Sequence, residues 1–278
     1  MNFFKVHGLG NDFILIDARE LPSHDWAALA KKCCDRHTGI GADGILLVQN
    51  SSVADTRMRI FNSDGSEAEM CGNGIRCFAR YVYERGIVSG KIFSVETLAG
   101  LMMPEIVERD GKFFGVRVDM GEPKLDCEDI PVTGSGRCVN RELEVLGKKL
   151  NFTSVLMGVP HTYVYVDEID PRAVETLGAA IECAEAFPRR TNVNFVRVID
   201  RNKIEMRTFE RGCGPTLACG TGASGAAVAN VLTGRGQGEI DVLLKLGSLH
   251  TEWAENNHVY MTGPAEFVFE GKMEGETK

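Results

Sequence analysis

Two stretches of the chain share one pattern of glycine turns, helix-spaced apolar positions and strand-like runs. In "CGNGIRCFARYVYERG", residues 71–86, Ile75, Phe78, Ala79 and Val82 recur at the spacing of one helix face, and Gly86 supplies a stop. "CGTGASGAAVANVLTG", residues 219–234, again reads as a helix, with Gly234 near its end. The first helix is amphipathic, with Arg76, Arg80 and Glu84 in line at four-residue spacing. The second is Ala-rich and nearly apolar all round, which predicts burial with strands packed closely on its small side chains. A strand-like run follows each helix, "KIFSVET" in one case and "EIDVLLKL" in the other. Each is followed by a glycine turn into a mainly apolar stretch, "LAGLMMPEI" (98–106) and "LGSLHTEW" (246–253).

The beginnings of the two regions also correspond. "GLGNDFILID" (8–17) and "GVPHTYVYVD" (158–167) both run from a glycine turn into an apolar strand ending in aspartate. The offset is 150 positions there and 148 between Cys71 and Cys219. Four matches in one order predict an internal duplication. The expected halves are residues 1–119, completed by a tail at 265–278, and residues 120–264, joined near "DMGEPKLD" (119–126). Numerous strand-like segments around one long helix per half place the chain in the α/β class. The expected architecture is two pseudo-symmetric domains, each a curved mixed sheet wrapped around a central helix.

Composition narrows the functions available. The chain has 278 residues, 44% hydrophobic and 25% charged, as in an ordinary globular protein. No apolar run approaches the roughly 20 residues needed to span a bilayer, and the opening "MNFFKVHGLGNDF" lacks a signal peptide's apolar segment. A formal charge of −8 and a pI near 5.4 argue against nucleic-acid binding, leaving small and even anionic ligands open. Nine cysteines without an export signal predict a reducing cytoplasm. Cys71-x5-Cys77 and Cys213-x5-Cys219 are wider than structural-zinc spacing, and no metal is expected.

Cys71 and Cys219 each open a Cys-Gly-x-Gly before a predicted helix. A cysteine there lies at the positive end of the helix dipole, which favours thiolate over thiol. The glycines leave the following N–H groups uncovered, and those groups can hold a carboxylate. Two such motifs suit the inversion of an amino-acid α-carbon: one thiolate removes a proton from one face and one thiol delivers a proton to the other. Helix N-termini aimed at the substrate carboxylate stabilise the enolate-like carbanion. The competing reading is two buried structural cysteines in glycine-rich turns; their matching places favour the chemical one.

The combination of "HGLGNDF", "FNSDGSEAEMCGNGIRC", "MGVPH", "FERGCGPTLACGTGA" and "MTGPAEFVF" resembles the diaminopimelate epimerases, pyridoxal-phosphate-independent amino-acid epimerases, from Phe4 to about Phe269. The resemblance implies a site in the cleft between the two domains, no cofactor, and Cys71 and Cys219 as the two bases. It implies that His161 and Glu210 lie beside the thiols and help set their protonation, as an imidazole or carboxylate in hydrogen-bonding reach can. Arg211 matches the residue that holds the substrate's distal carboxylate, and Asn11, Asn62 and Asn192 match amides on its polar ends. The backbone N–H groups of Gly72, Asn73, Gly220 and Thr221 would hold the reacting carboxylate. Asn62, within "NSDG", is also an ordinary turn former. The partner implied is a small amino acid, and the family suggests a homodimer.

Three positions depart from the family pattern. Val159 stands where "MGNPH" usually carries an asparagine that contacts the distal end of the substrate. Leaving that ligand group unpaired costs on the order of 1–3 kcal/mol. Pro215 replaces a glutamate, and Gly44 replaces a glutamine found in some members. The expected reaction is conversion of LL- to meso-diaminopimelate, serving lysine and peptidoglycan synthesis. Val159 motivates an alternative, a cofactor-independent racemase of a different amino acid. A thiol-redox or binding protein, with Cys71 and Cys219 as a redox pair, is a third reading.

Overall fold

The computed structural model describes residues 1–273, so residues 274–278 of the expected tail lie outside the described residues. These residues divide into two compact units, Met1–Val118 with the segment from Gly263 onward, and Asp119–Thr262. In the first unit, β1 (Asn2–Gly8) and β2 (Asn11–Asp17) lead to α1 (Trp26–Cys33), β3 (Gly44–Gln49), β4 (Thr56–Asn62) and β5 (Glu67–Ala68). Helix α2 (Gly72–Glu84) follows, then β6 (Val95–Thr97), β7 (Gly100–Met102) and the hairpin β8 (Glu105–Arg109) and β9 (Lys112–Asp119).

The second unit carries β10 (Arg141–Val145), β11 (Lys148–Met157), β12 (Val159–Tyr165), α3 (Pro171–Glu182), β13 (Asn192–Asp200), β14 (Lys203–Glu210) and β15 (Gly214–Thr216). It continues through α4 (Gly220–Leu232), β16 (Glu239–Leu244), β17 (Gly247–Trp253) and β18 (Val259–Gly263). The chain then returns to the first unit as β19 (Glu266–Lys272), antiparallel to β1.

The units share one topology. The first has strand order β1-β2-β3-β4-β6-β7 and the second β11-β12-β13-β14-β16-β17, with β5 on β4 and β15 on β14. The directions match as well: β2–β3 and β12–β13 are parallel, β3–β4 and β13–β14 antiparallel, β4–β6 and β14–β16 parallel. This is a mixed α/β fold in two pseudo-symmetric units. The parallel pairs β2–β3 and β12–β13 are bridged by the shorter crossover helices α1 and α3, and β4–β6 and β14–β16 by the central helices α2 and α4, which pack on the sheet of their own unit.

Strand β3 is buried along nearly its whole length because it is covered on both faces. Ile45 and Leu47 join the α1 cluster with Ile14, Ile16, Trp26 and Ala30, while Leu46 faces the start of α2. In β13, Val193 and Phe195 point to the α3 cluster and Asn194 to the opposite face. Among the described residues, no helix is long and apolar enough to cross a membrane.

The two central helices begin and end alike. Cys71 and Cys219 are their N-caps in extended conformation, and Gly86 and Gly234 follow their C-caps with φ of 64° and 68°. Glycine adopts that left-handed conformation without a Cβ clash, which is why each helix stops there. Helix α4 is buried on nearly every side. Gly222 and Gly225 let β12 and β13 approach it: a Cβ at Gly225 would collide with the Tyr163 hydroxyl, which donates to the Gly222 carbonyl at 2.8 Å.

Helix α2 differs from its amphipathic reading. Arg76 is fully buried, donating to the carbonyls of Pro264 and Gly72 at 3.0 Å each. Arg80 reaches the Ala265 carbonyl and Glu84, and its guanidinium lies over the rings of Phe113 and Phe267. The charged line of this helix thus holds the returning chain before β19, because a guanidinium has enough donors to satisfy carbonyls that would otherwise be buried unpaired.

Candidate active site: two cysteine half-sites

In the first unit, Cys71 Sγ accepts from the Gly74 N–H at 3.4 Å and donates towards Asn11 Oδ1 at 3.6 Å. Asn73 Nδ2 donates to the same Asn11 oxygen at 3.1 Å. Asn11 in turn gives its Nδ2 to Asp43 Oδ2 at 2.7 Å, which fixes the amide with its oxygen facing Cys71. Asp43 also accepts from the Asp12 N–H and from Arg36, and Arg36 bridges to Asp12, which Lys5 holds from the other side at 2.5 Å. Burial alone would raise the Asp12 carboxyl, but hydrogen bonds from Arg36 and Lys5 outweigh it and bring the pKa to about 2. The result is a thiol hydrogen-bonded to a neutral amide, with the buried Arg76 charge acting on it and a charged network behind that amide. Gly74 keeps the helix start open, since a Cβ there would lie 3.2 Å from Leu46.

Asn62 is exposed at the end of β4, with its Nδ2 donated to Ser66 at 2.9 Å, the turn-forming role its sequence context allows. Gly44 is buried at the start of β3, where a Cβ would meet the Phe61 carbonyl at 2.5 Å. Cys77 is also buried, and desolvation pushes its thiol up to about 12.

In the second unit, Cys219 Sγ lies 3.5 Å from Thr221 Oγ1, which is 3.0 Å from His161 Nε2. His161 is fully buried, and that burial, with the nearby Arg211 charge, pulls its pKa down to about 3. Glu210 accepts from Thr216 Oγ1 at 2.6 Å. Burial raises its carboxyl above the ordinary range, against hydrogen bonds from Thr216 and Cys219 that lower it. Asn192 ties two elements together, donating to the Pro160 carbonyl at 2.9 Å and accepting from the Arg211 N–H at 2.9 Å. The Arg211 side chain is exposed and donates to the Arg189 carbonyl. Gly220 opens α4 beneath Met261, with Thr221 next to it.

The structure therefore gathers Asn11, Cys71, Gly72 and Asn73 in one unit, and His161, Glu210, Cys219, Gly220 and Thr221 in the other, with Asn192 and Arg211 adjoining the latter. Val159 opens β12 half-buried, the place that Asn11 holds at the start of β2. Sequence reasoning missed Asp43, Arg36, Asn194, Thr208 and Thr216. The signal for Asn194 and Thr208 is a polar residue at an inward position of a strand flanked by buried apolar ones. Among the described residues, no group of three or more His, Cys, Asp or Glu side chains is arranged to hold a metal ion.

Comparison with known proteins gives this arrangement a family. The model of the diaminopimelate epimerase family matches residues 3–125 and 153–268. The chain belongs to the diaminopimelate epimerase family. It is 53% identical over 279 residues to the diaminopimelate epimerase of Heliobacterium modesticaldum, covering 98% of this chain and 99% of that one. It is 52% identical to the enzyme of that name from Pelotomaculum thermopropionicum, covering 98% of each. Membership in this family makes the chain an isomerase. Among solved structures, a phenazine biosynthesis protein of the PhzF family from Bacillus anthracis superposes with a TM-score of 0.71 over 99% of both chains. At 19% identity that likeness is one of fold.

Proposed function

We propose that this chain converts LL-diaminopimelate to the meso isomer by a two-base reaction of Cys71 and Cys219. The observation that carries the proposal is that two units of one topology place a cysteine at the N-cap of the same helix, each with a different set of proton partners. The roughly 50% identity to enzymes of that name over nearly the full length supports the substrate.

In the proposed reaction one sulfur, as thiolate, removes the α-proton and becomes a thiol. The carbanion is held through its carboxylate by the N–H groups of Gly72, Asn73, Gly220 and Thr221, where the helix N-termini favour negative charge. The other sulfur, as thiol, donates its proton to the opposite face and is left as thiolate. The two thiols exchange states with each turnover, and proton exchange resets them. Glu210, raised by burial and hydrogen-bonded to Cys219, exchanges a proton with that thiol. His161 sets the neighbouring Thr221. Arg211 takes the distal carboxylate, and Asn11, Asn62 and Asn192 its polar groups.

The chemistry calls on no cofactor, since one sulfur accepts the α-proton, the other supplies its replacement, and the helix N-termini stabilise the charge. The two domains implied are residues 1–119 completed by 265–278, and 120–264. A homodimer in the cytoplasm, handling a small amino acid and neither nucleic acid nor membrane, is the setting of this reading. A second reading, another amino acid as substrate, rests on Val159, whose isopropyl group gives no hydrogen bond to a distal ammonium or carboxylate.

Proton NMR of the reduced protein in heavy water with LL-diaminopimelate and no added cofactor tests the first reading. Loss of the α-proton signal as meso isomer forms supports it. A folded, reduced sample that leaves this substrate unexchanged but turns over another amino acid decides for the second.

A further inference from the structure

Behind Cys219 lies a buried chain of polar groups whose hydrogen-bond directions can be worked out from chemistry alone. Asn194, on β13, has no exposed surface and touches three partners. Its Nδ2 lies 3.3 Å from the Thr162 carbonyl and 3.3 Å from His161 Nδ1, and its Oδ1 lies 2.9 Å from Thr208 Oγ1. A backbone carbonyl can only accept, so the amide nitrogen, not the oxygen, must face Thr162. The Thr208 hydroxyl completes the orientation by donating to Oδ1.

With the amide so fixed, its second N–H points at His161 Nδ1. An amide N–H can only donate, so Nδ1 must be the bare nitrogen, and the imidazole proton sits on Nε2. The opposite tautomer would set N–H against N–H at 3.3 Å with both residues fully buried. Nε2–H then donates to Thr221 Oγ1 at 3.0 Å, which leaves the Thr221 hydroxyl proton for Cys219 Sγ at 3.5 Å.

We infer that Asn194 is a positioning residue that locks His161 in its Nε2–H tautomer, turning the Thr221 hydroxyl towards Cys219 as a donor. His161 is therefore not the acceptor of the Cys219 proton, and Glu210 takes that role. The inference rests on the reading of Cys219 as a base. Burial supports it by keeping His161 neutral, so that one ring nitrogen stays bare. Gly222 is part of the device: a Cβ there would come within 2.7 Å of Asn194 Oδ1 and 3.2 Å of Cys219 Sγ.

The test is two-bond proton–nitrogen NMR of protein labelled in its histidine rings, with His161 identified by the signals lost in His161→Gln. The expected result is a protonated Nε2 and a bare Nδ1, unchanged from about pH 8 to about pH 5, where an ordinary histidine titrates. A protonated Nδ1, or an imidazolium appearing in that range, overturns the inference. Asn194→Asp replaces the donor by a carboxylate acceptor; it should invert the tautomer and lower kcat about 10–100-fold with KM little changed. Should that buried carboxylate prevent folding, Asn194→Ala removes the donor without adding charge and should give a mixed tautomer and a smaller loss of kcat. An inverted tautomer with kcat intact would overturn the link to Cys219. The resting-state spectrum is independent of turnover, so an Nε2–H tautomer together with a fully active Cys219→Ala would sink the base assignment alone.

Discussion

The two half-sites have one backbone plan and two different chemistries. Cys71 meets the neutral amide of Asn11, which Asn73 also bonds and Asp43, Arg36, Asp12 and Lys5 hold in place, and it lies within the field of the buried Arg76 guanidinium. Cys219 is ringed by groups that can exchange or direct a proton: Thr221, His161 and Glu210. The place of Asn11 is taken in the second unit by Val159, and that of Asn62 by Glu210, at the ends of corresponding strands. A duplicated fold has thus kept what both halves need, a cysteine at a helix N-cap over open N–H groups, and diverged in what tells the two sulfurs apart. On the proposed two-base reading one sulfur is ionised while the other is protonated and the two exchange states, and the different surroundings give each sulfur its own proton partners.

The largest effect that would break this comparison comes from the cysteines themselves. Cys71→Ala and Cys219→Ala should each lower kcat for epimerisation by at least about 10²–10⁴, as expected for loss of a general acid–base group, with the fold retained by circular dichroism. Full activity in either variant would remove the two-base reading.

Next comes the network behind Cys71. Asp43→Asn removes the carboxylate that accepts from Asn11, so the Asn11 amide can turn its nitrogen to the thiol. The expected cost is about tenfold in kcat/KM, with at most about 1 kcal/mol of stability in denaturant melts, because the Arg36–Asp43 pair is solvent-exposed and Arg36 keeps Asp12. An unchanged kcat/KM would mean that the first half-site does not depend on the amide's orientation.

The comparison is sharpened by pH. His161 ionises near 6.5 when unfolded and near 3 when folded, so between those values the unfolded chain binds the extra proton. Stability should therefore fall as pH is lowered through that window and be fully present above it. Chemical denaturation at a series of pH values should show a shallower slope in His161→Gln than in the wild type. Equal slopes would contradict the buried neutral imidazole.

The smallest effect is a symmetric control. Gly86→Ala and Gly234→Ala place a Cβ at positive φ where there is open space. Each should cost about 1–2 kcal/mol, the strain of a left-handed residue, and the two losses should be nearly equal. A large inequality would show that the helix stops are not equivalent.

What was legible in the sequence was local. The N-cap cysteines, the glycine stops and the Ala-rich helix follow from spacing within one turn or one element, so the central helices and the repeat could be read directly. Arg76 could not be read as buried, because its partner is the carbonyl of Pro264, 188 residues away. Asp43 sits in "GADG", which reads as a turn, and only the pairing of β2 with β3 brings it under Asn11. Asn194 lies in "NVNFV", where alternation says that one face is polar but not that this face meets a helix start. Long-range register turns such residues from surface-like to buried, and register is what one sequence leaves open.

The most direct test of the central claim is α-proton exchange in heavy water by Cys71→Ala and Cys219→Ala, each with the LL isomer and with the meso isomer. A single remaining sulfur can remove and return a proton on one face only. Each variant should exchange without inversion, at the L centre in one and at the D centre in the other. Exchange of the same centre by both variants, or inversion by either, would contradict it.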